Sequence, residues 1–221
     1  MNRSRLKLAA FDLDGTLNAV TSPYDHVHRA LGVVDQAQAV LRRYQRGEIS
    51  YSEWGKHEVE LWRGLPVDEL VRITSEIPFR PGAQHFIQRL MNHDVSVVII
   101  SAGFEPHVQR CANDLGVEEV YFNRIGIRDG LLTGKYMDGV DSTNKGEILQ
   151  RIQCRLQVTP DETLVAGDTT HDISLFEYST MCVAIEDGAT ELKDIADLVL
   201  PNEWTTAWCL IDKLKPGWLP G

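Results

Sequence analysis

The run Leu6-Lys7-Leu8-Ala9-Ala10-Phe11 gives way at once to Asp12-Leu13-Asp14-Gly15-Thr16, and this junction constrains the fold more than any other stretch of the chain. A short apolar run closed by Asp and Gly reads as a buried strand entering a loop, and open α/β sheets gather their ligands at such carboxyl ends. Alternate residues of an extended segment point the same way, so Asp12 and Asp14 face one crevice until the chain turns at Gly15. Two carboxylates that close repel each other unless a divalent cation or a proton intervenes, and a hard cation such as Mg²⁺ prefers oxygen ligands of this kind. A plain Asp-Gly turn with solvated acids is the alternative, and the pentapeptide alone does not separate the two.

Three later junctions repeat the pattern. Val95-Ser96-Val97-Val98-Ile99-Ile100, the most β-branched segment, delivers Ser101-Ala102-Gly103 just before a helix opened by Glu105-Pro106. A hydroxyl and backbone N–H groups in that position suit a tetrahedral oxyanion. Asn144-Lys145-Gly146-Glu147 precedes the helical pattern Ile148, Leu149, Ile152. A cation at a helix start runs against the dipole, so Lys145 is expected to pair with Asp12 and a phosphate oxygen. Leu164-Val165-Ala166 ends in Gly167-Asp168, with Asp172 in the first turn of the helix that follows. A serine turn, an exposed lysine and a solvated acid are the plainer readings of the three, but the order of all four is jointly specific.

In these motifs, Asp12/Asp14/Thr16, Ser101, Lys145 and Asp168/Asp172, the chain resembles the haloacid dehalogenase superfamily over nearly its whole length. It is most similar to the phosphoserine phosphatase branch, through Ser101-Ala102-Gly103-Phe104, Asp129-Gly130-Leu131-Leu132-Thr133-Gly134 and Lys145-Gly146-Glu147. The resemblance implies a Mg²⁺-dependent phosphatase that works through an aspartyl-phosphate on a small phosphorylated metabolite. Asp12 would be the nucleophile, and Asp14 the proton carrier, starting neutral because carboxylates surround it. Thr16, Ser101, Ala102, Gly103 and Lys145 would hold substrate. The metal would be held by Asp12, Asp14, Asp168 and Asp172, the last through water. Asp14 argues against dehalogenation, which needs no alkoxide protonated, and Thr16 tilts towards hydrolysis over a phosphotransferase or phosphomutase, which stays the alternative.

The implied architecture is a Rossmann-like parallel sheet core, residues 1–17 and 81–221, with an inserted α-helical cap, residues 18–80. The residues alone support it. Ser22-Pro23 starts a helix stopped at Gly32, a second runs from Asp35 to Arg46, a third from Ser50 to Arg63, and a fourth begins near Pro66. From Pro81 on, helices alternate with β-rich runs, and Ile125 to Leu131 reads as a hairpin with an Asp-Gly turn.

With 221 residues and 43% hydrophobic content, the chain can bury one substantial core and a small accessory unit. Its formal charge of −10 disfavours a nucleic-acid surface. Cys111, Cys154, Cys182 and Cys209 lack metal-like spacing and read as buried thiols of a reducing, cytoplasmic compartment. The apolar run after Arg3, Arg5 and Lys7 is too short for a signal peptide, and no segment is suited to span a bilayer. The tail Lys215 to Gly221 reads as irregular, with Trp218 able to tuck against the core.

One departure concerns substrate choice. Phosphoserine phosphatases grip the amino and carboxylate groups with a cap Glu and a cap Arg. Counting from the motifs, those positions fall here at Thr21 and Glu58. Phosphoserine is therefore expected to bind poorly unless Lys56, Arg43 or Arg63 takes over. His171 is expected either at the phosphate or as a helix cap. Trp54 and Trp62 are expected to line the cleft or to form the core of the cap.

Overall fold

The protein, described here from a computed structural model over residues 4–141 and 143–220, is built on a seven-stranded sheet. In chain order the strands are β1 (Leu8–Phe11), β2 (Ser96–Phe104), β3 (Glu119–Arg128), β4 (Leu131–Met137), β5 (Thr163–Gly167), β6 (Met181–Ile185) and β7 (Leu198–Leu200). Their order across the sheet is β4-β3-β2-β1-β5-β6-β7. All neighbours are parallel except β3 and β4, which form an antiparallel hairpin. Asp129 and Gly130 both take positive φ at its turn, as the Asp-Gly pair predicts.

Both faces of the sheet are covered, which is why Leu8–Phe11, 97–100, 164–166 and Met181–Ile185 are unbroken apolar runs. Ala9 and Phe11 of β1 join Val97 and Ile99 of β2 on one face, whereas Leu8, Ala10, Val98 and Ile100 pack on the other. Register then fixes where chemistry can happen. Leu8 lies opposite both Ser96 and Thr163, and Phe11 opposite Ile99 and Ala166, so the end of β1 stands level with Ile99 of β2 and with the last residues of β5. The segments beginning at Asp12, Ser101 and Asp168 leave the same edge, at the switch point where the strand order reverses.

β2 runs further than its apolar run predicts. Ile100 pairs with Tyr121 and Phe104 with Asn123, so Ser101-Ala102-Gly103 face Phe122 alone and bulge out of the ladder. Asn123 seals this bulge by donating to Ala102 O at 2.8 Å and to Val140 O at 2.9 Å.

Four helices separate β1 from β2: α1 (Pro23–Leu31), α2 (Val34–Gln45), α3 (Tyr51–Glu60) and α4 (Val67–Ser75). Ser22 caps α1 by accepting from Asp25 N, Gly32 closes it in the left-handed conformation, and Ser50 with Glu53 forms a capping box on α3. α3 stops at Glu60 rather than at Arg63. The reason lies in the hairpin: Gly64 N donates to Leu132 O and Leu132 N to Leu65 O, drawing the chain out of the helix and against β4. Gly55 permits this closeness, since a Cβ there would stand 2.5 Å from Tyr136 Cζ.

The remaining helices, α5 (Ala83–Asn92), α6 (Glu105–Leu115), α7 (Lys145–Leu156), α8 (Ile173–Phe176), α9 (Thr190–Lys193) and α10 (Ala207–Leu214), flank the sheet. Two expectations are corrected. Cys111 and Cys182 are buried, but Cys154 and Cys209 lie on the outward sides of α7 and α10 and are exposed. The tail is tied down: Trp218 is buried, its Nε1 donates to Asp161 O at 2.8 Å, and its carbonyl accepts from Leu6 N. Arg3 and Gly221 lie outside the described residues. No helix among the described residues is long and apolar enough to cross a membrane.

The loop after β1 is held from beneath. Trp204 Nε1 donates to Thr16 O at 3.0 Å, and its ring packs on Phe11 and Phe86 with centroids 5.5 and 5.0 Å away. Removing this ring opens a large cavity under the loop. Trp204→Ala is expected to lower stability by about 3–5 kcal/mol in urea unfolding; a loss below about 1 kcal/mol would show that the ring does not support the fold.

Candidate active site

Lys145, the first residue of α7, is buried between two carboxylates, with Nζ 2.6 Å from Asp12 Oδ1 and 2.7 Å from Asp172 Oδ1. Burial disfavours an ammonium, but Asp12 and Asp172 outweigh it and hold Lys145 well above the ordinary lysine range. At Asp12 the forces oppose one another. Burial pushes its acid up, Lys145 pulls it down, and Asp172 and Asp14 push it up again, leaving it raised to about 7. The full enclosure of Lys145 and the short contact favour the ion pair, because a lone buried ammonium would be far costlier.

Asp168 follows β5 and shares this space. Its Oδ1 accepts from Thr16 Oγ1 at 3.1 Å, and its Oδ2 has no hydrogen-bond partner among the described residues. Burial first, then repulsion from Asp12 and Asp172, pushes its acid up to about 9. Asp172 is turned differently. One oxygen takes Lys145, and the other accepts from the backbone N–H of Asp168 and Thr169 and from the Thr169 hydroxyl.

Ligand oxygens of Asp12, Asp168 and Asp172 lie within 4.8 Å of one another. Three buried carboxylates against one ammonium leave an excess of negative charge, and one oxygen lacks a partner. A divalent cation that prefers oxygen would remove both costs, so the residues fit such an ion.

Asp14 collects donors. Its Oδ1 accepts from Asn18 Nδ2 and pairs with His107 Nε2, each at 2.7 Å, and its Oδ2 accepts from Ser101 Oγ at 3.4 Å. The groups hydrogen-bonded to Asp14 are thus an amide, an imidazole and a hydroxyl, not other carboxylates. Burial pulls the His107 imidazole down, yet the Asp14 charge and hydrogen bond win and raise it to about 9. The His107 imidazole is therefore held in its charged form against Asp14.

Sequence reasoning missed His107, Asn18 and Arg80. His107 could have been found from the spacing 107, 108, 111, 112, 115, which marks the inner face of α6. Arg80, also buried, donates from Nε to Gly15 O and from Nη2 to Asp187. Nothing local announces that role, because both partners are remote in sequence.

A cavity of about 230 Å³ opens above these groups. Asp12, Asp14, Ser101, Ala102, Gly103 and Lys145 line its floor, with Thr169 and His171 at one side. Gly103 cannot carry a side chain here, since a Cβ would approach Asp14 Oδ2 to 2.8 Å. Thr16, expected at the substrate, is not among the lining residues; its hydroxyl is spent on Asp168.

The helical segment forms the roof with Tyr24, Leu41, Tyr44, Tyr51 and Trp54, and Thr21 stands at the rim. Trp54 thus both lines the cavity and packs on its neighbours, whereas Trp62 is core, stacked on Tyr24 at 5.4 Å. His171 is not the helix cap, a role taken by Thr169; its ring meets Tyr51 edge-on at 6.4 Å. Burial first and then Lys145 lower its pKa, so it stays neutral.

Glu58 does not face the cavity, which corrects the expectation that its charge would repel a substrate there. It is buried against His28, Oε2 to Nε2 at 3.5 Å. Burial and the Asp25 charge push Glu58 up to about 8, while burial brings His28 down to about 4, so the pair is uncharged near neutrality. None of the three cations offered as substitutes lines the cavity: Arg43 pairs with Glu48, Arg63 with Glu60, and Lys56 borders a separate hollow beside Tyr136.

A family model described as haloacid dehalogenase-like hydrolase matches residues 9–177. The phosphoserine phosphatase of Archaeoglobus fulgidus is 30% identical over 203 residues, 91% of this chain and 58% of that protein, so the chain spans little more than half of that relative. The phosphoserine phosphatase of Methanocaldococcus jannaschii is 29% identical over 195 residues, covering 88% and 92% of the two chains. Among solved structures, a phospho-aspartyl intermediate analogue of phosphoserine phosphatase superposes with a TM-score of 0.76 at 28% identity, covering 89% of this chain and 94% of that one.

The uncharged Glu58–His28 pair has a measurable consequence. Glu58 is raised from 4.5 in the open chain to about 8, so its contribution to stability falls as pH rises through that window. His28 is lowered from 6.5 to about 4, so its contribution grows with pH up to 6.5 and offsets the first. Above pH 6.5 only the loss remains. Between pH 6.5 and 8 the stability of wild type relative to Glu58→Gln is expected to fall by about 1.4 kcal/mol per pH unit in urea titrations. Parallel pH profiles would show that Glu58 is ionised.

Proposed function

Because the chain belongs to the haloacid dehalogenase-like hydrolases, we propose that it is a Mg²⁺-dependent phosphomonoesterase that passes the phosphoryl group of a small phosphorylated molecule through Asp12 to water. The observation that carries this reading is the meeting of Asp12 with Lys145 and the acidic cluster under a cavity whose floor also holds Asp14 and Ser101. The helical segment, residues 18–80, serves as a cap over that floor.

Asp12 attacks phosphorus, forming an O–P bond as the ester O–P bond breaks. Lys145 keeps the attacking carboxylate ionised and takes up charge on the phosphoryl oxygens. Ser101 and the bulge at Ala102 and Gly103 hold those oxygens, with the bulge keeping the hydroxyl and backbone beside Asp12. Asp14 relays a proton from the His107 imidazolium to the departing alkoxide, then accepts one from the water that cleaves the acyl phosphate. That second displacement releases inorganic phosphate and restores Asp12. Asp12, Asp168 and the Asp14 carbonyl would hold Mg²⁺, with Asp172 acting on it through water and fixing Lys145. When bound, the ion supplies charge neutralisation for the phosphoryl oxygens.

The likeness to phosphoserine phosphatases favours phosphoserine as substrate. The roof, which offers neither a cation nor an anion among its described lining residues, weighs against it.

Asp12→Asn is expected to stay folded and to lose at least about 10³-fold in hydrolysis of p-nitrophenyl phosphate with Mg²⁺, and Asp168→Asn to lose the Mg²⁺-dependent turnover. Wild-type turnover in Asp12→Asn would refute the nucleophile. His107 acts through Asp14 and is a positioning residue. His107→Phe should reduce kcat on an alkyl phosphate by about 10²-fold, but far less on p-nitrophenyl phosphate, whose leaving group needs no proton. Equal losses on both esters would reduce His107 to a structural role.

A further inference from the structure

We infer that the alcohol portion of the substrate is uncharged and carries an aromatic ring, which lies flat against the roof formed by Tyr24, Leu41, Tyr44, Tyr51 and Trp54. The inference rests on the phosphomonoesterase reading and concerns what that site selects.

Charge excludes the alternatives first. An amino or carboxylate group that loses its water inside a cavity needs a fixed counter-charge, or binding fails. The charged side chains lining this cavity are Asp12, Asp14 and Lys145, all on the floor. Each is already engaged: Lys145 with Asp12 and Asp172, and Asp14 with His107 and Asn18. Of the cations nearest in sequence to the roof, Arg43 and Arg46 pair with Glu48, and Arg42 and Lys56 are exposed and do not line the cavity. Among the described residues, the ester's remote end therefore meets no partner for a charge.

Shape supplies the rest. Trp54 sits among three phenol rings, with centroids 5.3 Å to Tyr24, 5.8 Å to Tyr44 and 5.4 Å to Tyr51. These contacts hold the rings tilted against one another, with interplanar angles of 51°, 30° and 41°, so the roof is a preset surface that needs little ordering when a ligand arrives. Leu41 completes it with an aliphatic patch. Burial pushes Tyr51 up to about 12, so its phenol remains neutral and adds no charge to the wall. A flat apolar group gains most from such a surface, because it displaces water from several rings at once.

The test uses benzyl phosphate, propyl phosphate and O-phosphoserine with the full-length protein and Mg²⁺. All three release an alkoxide, so bond breaking makes a similar demand on Asp14 and differences in kcat/KM report recognition. Benzyl phosphate is expected to exceed propyl phosphate by about tenfold or more, as burial of a ring requires, and phosphoserine by about 10²-fold or more, as unpaired buried charges require. In Trp54→Ala, and in Leu41→Lys at a half-exposed position, the benzyl-to-propyl ratio should drop towards one. Phosphoserine turned over as well as benzyl phosphate, or a benzyl-to-propyl ratio near one in wild type, would overturn the inference while leaving the phosphatase reading intact. Failure on all three esters together with failure on acetyl phosphate, which needs no roof, would overturn the phosphatase reading and this inference with it.

Discussion

An ammonium group sealed between two carboxylates organises this molecule. Lys145 joins Asp12, 133 positions earlier in the chain, to Asp172, 27 positions later, with both contacts inside a region closed to water. Neither carboxylate could be buried there alone, and neither could the lysine. The site thus exists only when the end of β1, the start of α7 and the turn after β5 are assembled together. Lys145 also stands at a helix start, where the backbone dipole opposes it; the two anions supply what the helix withholds.

The same charge balance explains why the surroundings are so constrained. The carboxylates crowd because the parallel strands β1 and β5 end side by side, and Asp168 approaches Gly15 so closely that a Cβ there would come within 2.0 Å of its Oδ2. Gly15 also has a φ of +86°, which few other residues accept. Trp204 and Arg80 hold that turn through the carbonyls of Thr16 and Gly15. Supporting contacts from far along the chain keep a strained, highly charged loop in one place, as a preorganised site requires.

Strand ends were legible because burial on both faces writes unbroken apolar runs into the sequence, and the polar residue that ends each run is conspicuous. Asp12, Ser101 and Asp168 could be read this way, as could the helix caps at Ser22 and Ser50. What side chains do after the backbone is placed was less legible. Thr16 follows the motif, but its hydroxyl turns to Asp168; Glu58 was assigned a charge facing substrate, but it is folded back on His28. His107 contributes to the site from a helix face that resembles any other amphipathic face. The early end of α3 followed from hydrogen bonds to a hairpin some seventy residues later, which no local pattern encodes.

Floor and roof divide the work: the floor concentrates charge for phosphoryl transfer, and the roof is neutral and aromatic. The central claim is that Asp12 is where the phosphoryl group goes. Acid quenching of the protein within the first turnovers on acetyl phosphate and Mg²⁺, followed by peptide mass spectrometry, tests it directly. The account predicts one phosphoryl group on the peptide containing Asp12, labile to hydroxylamine as an acyl phosphate is. Hydrolysis that proceeds with the label on another residue would contradict it.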